Sequence, residues 1–201
     1  MNIMLNDNVR SLLAEPHKAI LTLHRHPDPD SVASNLLWAN VLKELGHEVD
    51  IVSVDEPPAS LSFIKDFDKI RHISSKKLNW DDYDVYWALD MSSSDRHGFI
   101  TPVPESLQIV VIDHHVSNKG WGTYNIIDTD EQYPSTCSML YEICSQLEVS
   151  VTKDRATTLL TGIAGDTGFF MYGISSEVLV GTTELLRYGA DYELIKKHIL
   201  G

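Results

Sequence analysis

Apolar residues recur along this chain in two patterns. Short, nearly unbroken apolar runs at 19–23, 47–54, 84–90, 108–112 and 124–128 read as strands buried on both faces, and 69–74, with more charge, as an edge strand. Between them the spacing turns helical. From Ser31, the residues Val32, Leu36, Leu37, Trp38, Val41, Leu42 and Leu45 recur every three or four positions until Gly46 supplies a stop. Further helices are predicted over 2–16, ending before Pro16, over 61–67, from Pro134-Ser135-Thr136 through 147, over 153–161, and over 176–188 and 192–200 on either side of Gly189. The stretch 162–168, Gly-Ile-Ala-Gly-Asp-Thr-Gly, reads as an interruption carrying one aspartate among three glycines. Strands alternating with helices predict an α/β fold: a mostly parallel, Rossmann-like sheet with helices on both faces.

Length and composition narrow the picture. The 201 residues suffice for one well-buried domain, and no linker, repeat or low-complexity tract divides them. A net charge of -13 excludes a basic surface that grips duplex nucleic acid. No apolar run approaches the length that spans a bilayer, and the N-terminus lacks a signal-peptide pattern, so a cytoplasmic protein without membrane contact is expected. Cys137 and Cys144, seven residues apart in a helical stretch, fit neither a zinc motif nor a redox dithiol and read as reduced, buried thiols.

The apolar runs end in chemistry. Val110-Val111-Ile112 delivers Asp113-His114-His115, the run at 85–89 closes on Asp90, and the first strand is followed by His24-Arg25-His26-Pro27-Asp28-Pro29-Asp30. Each proline favours an extended conformation for the residue before it, so His24, His26, Asp28 and Asp30 are expected to share one side of an extended segment. Asp166 joins them from the glycine-flanked stretch. Carboxylates and imidazoles without a thiolate suit Mn²⁺, Mg²⁺, Co²⁺ or Fe²⁺, and so many acids in one cleft call for cations. Simpler readings exist for single residues: Asp30 and Ser34 as helix caps, Asp90, Asp113 and Asp166 as turn residues. His26, Arg96 and His97 read as solvated surface, and Trp38, Trp87, Phe169 and Phe170 as core.

The order His-x-x-x-Asp-x-Asp, a strand-end Asp, Asp-His-His and Gly-x-x-x-Asp-Thr-Gly resembles the DHH phosphoesterase superfamily from residue 24 to about 195. Val111 to Trp121, Asn125-Ile126-Ile127-Asp128 and Gly162 to Phe169 look most like its oligoribonuclease and 3′-phosphoadenosine-5′-phosphate (pAp) phosphatase branch. The resemblance implies two metal ions, commonly manganese: His24 and Asp28 on one, Asp30, His114 and Asp166 on the other, and Asp90 bridging. It implies that His115 faces the scissile phosphate and that Asp113 orients the imidazoles. The implied substrates are short single-stranded oligoribonucleotides, pAp or linear dinucleotides, with a homodimer compatible. His26 stands where the family usually has Asn, and Ala33 where Gly is common. The family's usual C-terminal, substrate-binding domain is expected to be absent from 1–201. Pro29-Asp30-Ser31 leans toward manganese-dependent inorganic pyrophosphatases, but Ala88-Leu89-Asp90-Met91-Ser92 lacks their Asp-His-Asn. A module that binds metal and nucleotide with little turnover is the non-enzymatic alternative.

Overall fold

The computed structural model describes residues 3–201. Strands β1 (Lys18–Thr22), β2 (Glu48–Ser53), β3 (Ile70–His72), β4 (Val85–Leu89), β5 (Gln108–Asp113) and β6 (Tyr124–Ile127) form one sheet in the order β3-β2-β1-β4-β5-β6. Every pairing is parallel, so all six strands end at one edge. The helices are α1 (Asp7–Ala14), α2 (Pro29–Glu44), α3 (Thr136–Gln146), α4 (Lys153–Asp166), α5 (Ser176–Arg187) and α6 (Tyr192–Leu200). The strand order reverses direction between β1 and β4. In open α/β sheets the crevice at such a switch point, beyond the carboxyl ends of the strands, is where ligands bind.

Alternation along the strands sorts side chains into two cores. Ala19, Leu21, Val85, Trp87, Val110 and Ile112 face one large cluster, to which all six α-helices contribute, with Trp38 of α2 edge-on to Trp87 at 5.2 Å between centroids. Ile20, Val52, Tyr86, Ala88 and Val111 face the other. There the helical cover reduces to single 3-10 turns at Trp80–Asp82 and Ser94–His97, with Trp80, Phe99, Leu78 and Leu107 closing the layer. Aromatic rings supply enough apolar area that turns suffice on this side.

Local departures from the sequence pattern have physical causes. Of the helix expected over 2–16, residue 2 lies outside the described residues and Asp7–Ala14 form the helix, capped by the Asn6 side chain. The helix expected over 61–67 is absent, leaving 3-10 turns at Ala59–Leu61 and Phe67–Lys69; its two buried anchors, Leu61 and Ile64, are three apart, which a single turn satisfies. The expected interruption at 162–168 is also wrong, because α4 runs through Gly162 and Gly165 to Asp166. These glycines serve close packing rather than chain reversal: a Cβ on Gly162 would lie 2.4 Å from Asp30 Oδ1, and one on Gly165 2.7 Å from the Pro29 ring. Phe169 and Phe170 are partly buried against the main core, both in the left-handed region, and Cys137 and Cys144 are buried free thiols. Trp38 and Trp87 lie in the core as expected.

Candidate metal centre

The segment 24–30 turns where an extended run is expected. Asp28 is extended and caps α2 by accepting the Ser31 N–H at 2.9 Å, so the helix starts at Pro29 rather than Ser31. Proline at the first helical position lacks only a donor that would be unpaired anyway. Asp30 thereby falls in the first turn, while His26, at φ 54°, turns its side chain out to 87% exposure and leaves the group. Histidine, like asparagine, tolerates this left-handed conformation better than most residues.

Around the switch point the remaining residues converge. His24 Nδ1 bonds the Arg25 carbonyl at 2.8 Å, which sets its Nε2 toward Asp28 Oδ2 at 3.5 Å and Asp90 Oδ2 at 3.4 Å. Asp90 leaves β4 at φ 55°, a strained conformation for a non-glycine residue that aims its buried carboxylate into the crevice. Its Oδ1 accepts the Thr136 hydroxyl at 3.3 Å and lies 3.5 Å from His114 Nε2. His114 Nε2 is 3.1 Å from Asp166 Oδ2 yet makes no aligned hydrogen bond, so a buried ring nitrogen is left without a partner among the described residues. Asp30 is fully buried; its oxygens accept the Thr136 and Cys137 N–H groups at the N-terminus of α3, at 2.6 and 3.0 Å. It is a cap, as the simpler reading has it, but of a helix more than a hundred residues away. Asp166 closes α4, where the helix dipole disfavours a carboxylate.

Ligand atoms of His24, Asp28 and Asp90 lie within 4.8 Å of one another, as do those of Asp30, Asp90, His114 and Asp166, and of Asp90, His114 and His115. Asp90 is common to all three sets; the first two bring together the six residues singled out as ligands in the sequence, and the third adds His115. The donor set fits divalent cations: hard oxygens and imidazole nitrogens, one of them orphaned, whose carboxylates have no Lys or Arg ion-pair partner among the described residues.

Titration reflects that lack. Burial alone would lower the histidine pKa values, but Asp28 and Asp90 push His24 up to about 10, and Asp166, Asp30 and Asp90 push His114 up to about 9. Burial, with Asp90 and Asp166 nearby, holds the Asp30 carboxyl well above the usual range, and burial likewise raises Asp166. Burial would raise Asp28, but the hydrogen bonds from His24 and the Ser31 N–H, together with the His24 charge, outweigh it and hold the carboxyl below its usual range. Metal binding by such a set would release the protons that these shifts favour.

The two adjacent histidines differ. His114 exposes 16% of its side chain and His115 44%. His115 Nδ1 bonds Asp113 Oδ1 at 2.8 Å, and because a carboxylate only accepts, the proton sits on Nδ1 and Nε2 is left free. Asp113 is buried, and its other oxygen accepts the Asn118 amide at 2.7 Å. Asn118 and Thr136 are contributors that sequence reading missed; Asn118 carries no more signal than its place three residues after His115. His97, expected on the surface, is 5% exposed among Trp80, Tyr86 and Phe99.

The chain is similar to several known proteins. The chain is 32% identical over 184 residues to the "Bifunctional oligoribonuclease and PAP phosphatase NrnA" of Thermus thermophilus, covering 89% of this chain and 54% of that one. It is 26% identical over 149 residues to a probable manganese-dependent inorganic pyrophosphatase of Streptococcus thermophilus, covering 72% and 46%. It therefore spans about half the length of these relatives. An exopolyphosphatase-related protein from Bacteroides fragilis shares its fold, with TM-score 0.81 at 21% identity over 96% of this chain and 59% of the other. The N-terminal-domain profile of the DHH family matches residues 18–163, and the chain, with its Asp113-His114-His115 at the carboxyl edge of a parallel sheet, belongs to the DHH family.

Proposed function

We propose that residues 1–201 form a single catalytic domain that hydrolyses phosphate esters of small nucleotides with the help of two divalent cations, manganese foremost. The observation that carries this reading is the pair of donor sets sharing Asp90 at the switch point, with His115 beside them. His24 and Asp28 would hold one cation, Asp30, His114 and Asp166 the other, with Asp90 common to both. Bound there, the cations supply Lewis-acid neutralisation of phosphoryl oxygens and lower the pKa of a nucleophilic water.

The chain's own groups do the rest. Asp113, fixed by Asn118, holds the His115 proton on Nδ1 and turns Nε2 outward, where a protonated imidazole stabilises charge on the phosphoryl group or gives its proton to the leaving oxygen. Partial exposure of His115 leaves room for substrate; the deeper His114 has none. In a protein of net charge -13 no basic surface competes for duplex nucleic acid, which supports pAp, linear dinucleotides or short single-stranded RNA as substrates. The names of the curated relatives support the same class. No helix among the described residues is long and apolar enough to cross a membrane, and the two free thiols suit a reducing cytoplasm. Homodimer formation is part of the reading, and sedimentation velocity checks it.

Release of mononucleotide or phosphate from pAp and from a short oligoribonucleotide should require added Mn²⁺ and fall to background in Asp90→Ala. Activity retained in that variant rejects the assignment. The relationship to pyrophosphatases favours inorganic pyrophosphate as the second candidate. Faster turnover of pyrophosphate than of pAp would select it.

A further inference from the structure

The loop after β1 carries a fixed positive charge that the metal centre does not use. Arg25 follows His24, and its Nε donates to Asp55 Oδ2 at 2.8 Å. The same oxygen accepts the His26 backbone N–H at 2.9 Å, so one carboxylate just past β2 holds both the side chain of Arg25 and the turn beside it. The Arg25 backbone N–H donates to the Arg96 carbonyl at 2.7 Å, tying this loop to the turn that follows Asp90. The stem of Arg25 rests on Gly98, where a Cβ would stand 2.2 Å from its Cδ; the seat exists because residue 98 has no side chain.

What is left over is the end of the guanidinium. Arginine that serves only as an ion pair tends to engage its carboxylate through two parallel N–H bonds. Here Nε alone is engaged, the terminal amino groups have no hydrogen-bond partner among the described residues, and the side chain is 46% exposed. A planar fork of donors, clamped at its base and open at its tip, matches two oxygens of a phosphate. It stands one residue from a proposed ligand, in a chain whose charge otherwise repels anions.

We propose that Arg25 binds a second, non-scissile phosphate of the substrate, selecting nucleotides that carry two phosphoryl groups over mononucleotides. This inference rests on the phosphoesterase reading above. Asp55 and Gly98 are its positioning residues.

The test is calorimetric titration of the Mn²⁺-loaded chain with pAp and, separately, with adenosine 5′-monophosphate. In Arg25→Gln the affinity for pAp should fall about 10- to 100-fold, the scale of one lost charge-assisted contact, while the affinity for the monophosphate changes less than threefold. Affinity for Mn²⁺ should stay within twofold of wild type, which also reports that the variant folds. Arg25→Lys keeps the charge without the fork and should recover only part of the loss. Equal weakening toward both nucleotides, or none, overturns the proposal. So does a wild-type chain that does not prefer pAp. Should Arg25→Gln fail to fold, the same comparison in the lysine variant decides. Hydrolysis is read separately: a wild type that binds both nucleotides and turns over neither refutes the phosphoesterase reading, and the affinity ratio still judges Arg25.

Discussion

Replacing Gly162 with alanine should destabilise this protein, although in an unconstrained helix interior alanine is favoured over glycine by about 0.8–1 kcal/mol. The new Cβ would stand 2.3 Å from Cys137 Sγ and 2.4 Å from Asp30 Oδ1, roughly an ångström inside ordinary contact. Neither neighbour is free to move. Cys137 is fully buried, and Asp30 is pinned by the Thr136 and Cys137 N–H groups. Overpacking of this kind costs about 1–3 kcal/mol, and each backbone donor orphaned by a displaced Asp30 adds about 1–3 kcal/mol. Set against the propensity gain, a net loss of about 1–5 kcal/mol is expected with one donor orphaned. Gly181 in α5 is the control, because its added Cβ would meet only the Tyr141 ring at 3.7 Å, so Gly181→Ala should stabilise by about 0.5–1 kcal/mol. Urea unfolding of both variants in metal-free buffer, followed by tryptophan fluorescence, gives the sign. A Mn²⁺ titration should show weakened binding in Gly162→Ala alone. If Gly162→Ala proves as stable as wild type with unchanged Mn²⁺ affinity, α4 does not press on Asp30 as argued.

Other outcomes follow from single contacts. Burial depresses the His97 pKa to about 4 from an unfolded value near 6.5, with Asp95 the one charge opposing it. Between those values the unfolded chain takes up a proton that the folded chain refuses. Stability from this site is therefore full above pH 6.5 and falls by about 3 kcal/mol as pH drops toward 4. In His97→Gln, which keeps an acceptor for the Phe99 N–H, urea midpoints measured from pH 7 to 4.5 should fall less steeply than in wild type; parallel slopes would refute the assignment. Asn118→Leu removes the amide donor to the buried Asp113 carboxylate, and a loss of about 1.5–3 kcal/mol, or roughly 3–10 °C in melting temperature, is expected by calorimetry. An unchanged melting temperature would show that Asp113 does not depend on that bond.

Most of this architecture is legible in the sequence because it rests on local periodicity. Apolar runs mark the strands, and the ionisable residues that close them mark the ligand edge, which is why His24, Asp28, Asp90, Asp113, His114 and His115 stand out in the sequence. What local pattern cannot reveal is what a residue meets across the fold. The glycines at 162 and 165 look like helix breakers, since sequence records their flexibility and not the Asp30 and Pro29 atoms that a Cβ would strike. Asp30 looks like a cap for the helix that contains it, yet it caps α3. His26 alternates with His24 on paper and departs from it through one left-handed residue. His97 appears solvated until Trp80, Tyr86 and Phe99 close around it.

Alternation of strands with helices, and the gathering of acids and imidazoles at strand ends, are written in the order of residues, because both follow from which side chains neighbour one another along the chain. Contacts across the fold place Asp90 at the meeting of the donor sets, bring Asp166 to the cleft from a helix terminus and clamp Arg25 with its tip free. Those relations depend on distances between segments far apart in sequence, which are set by packing.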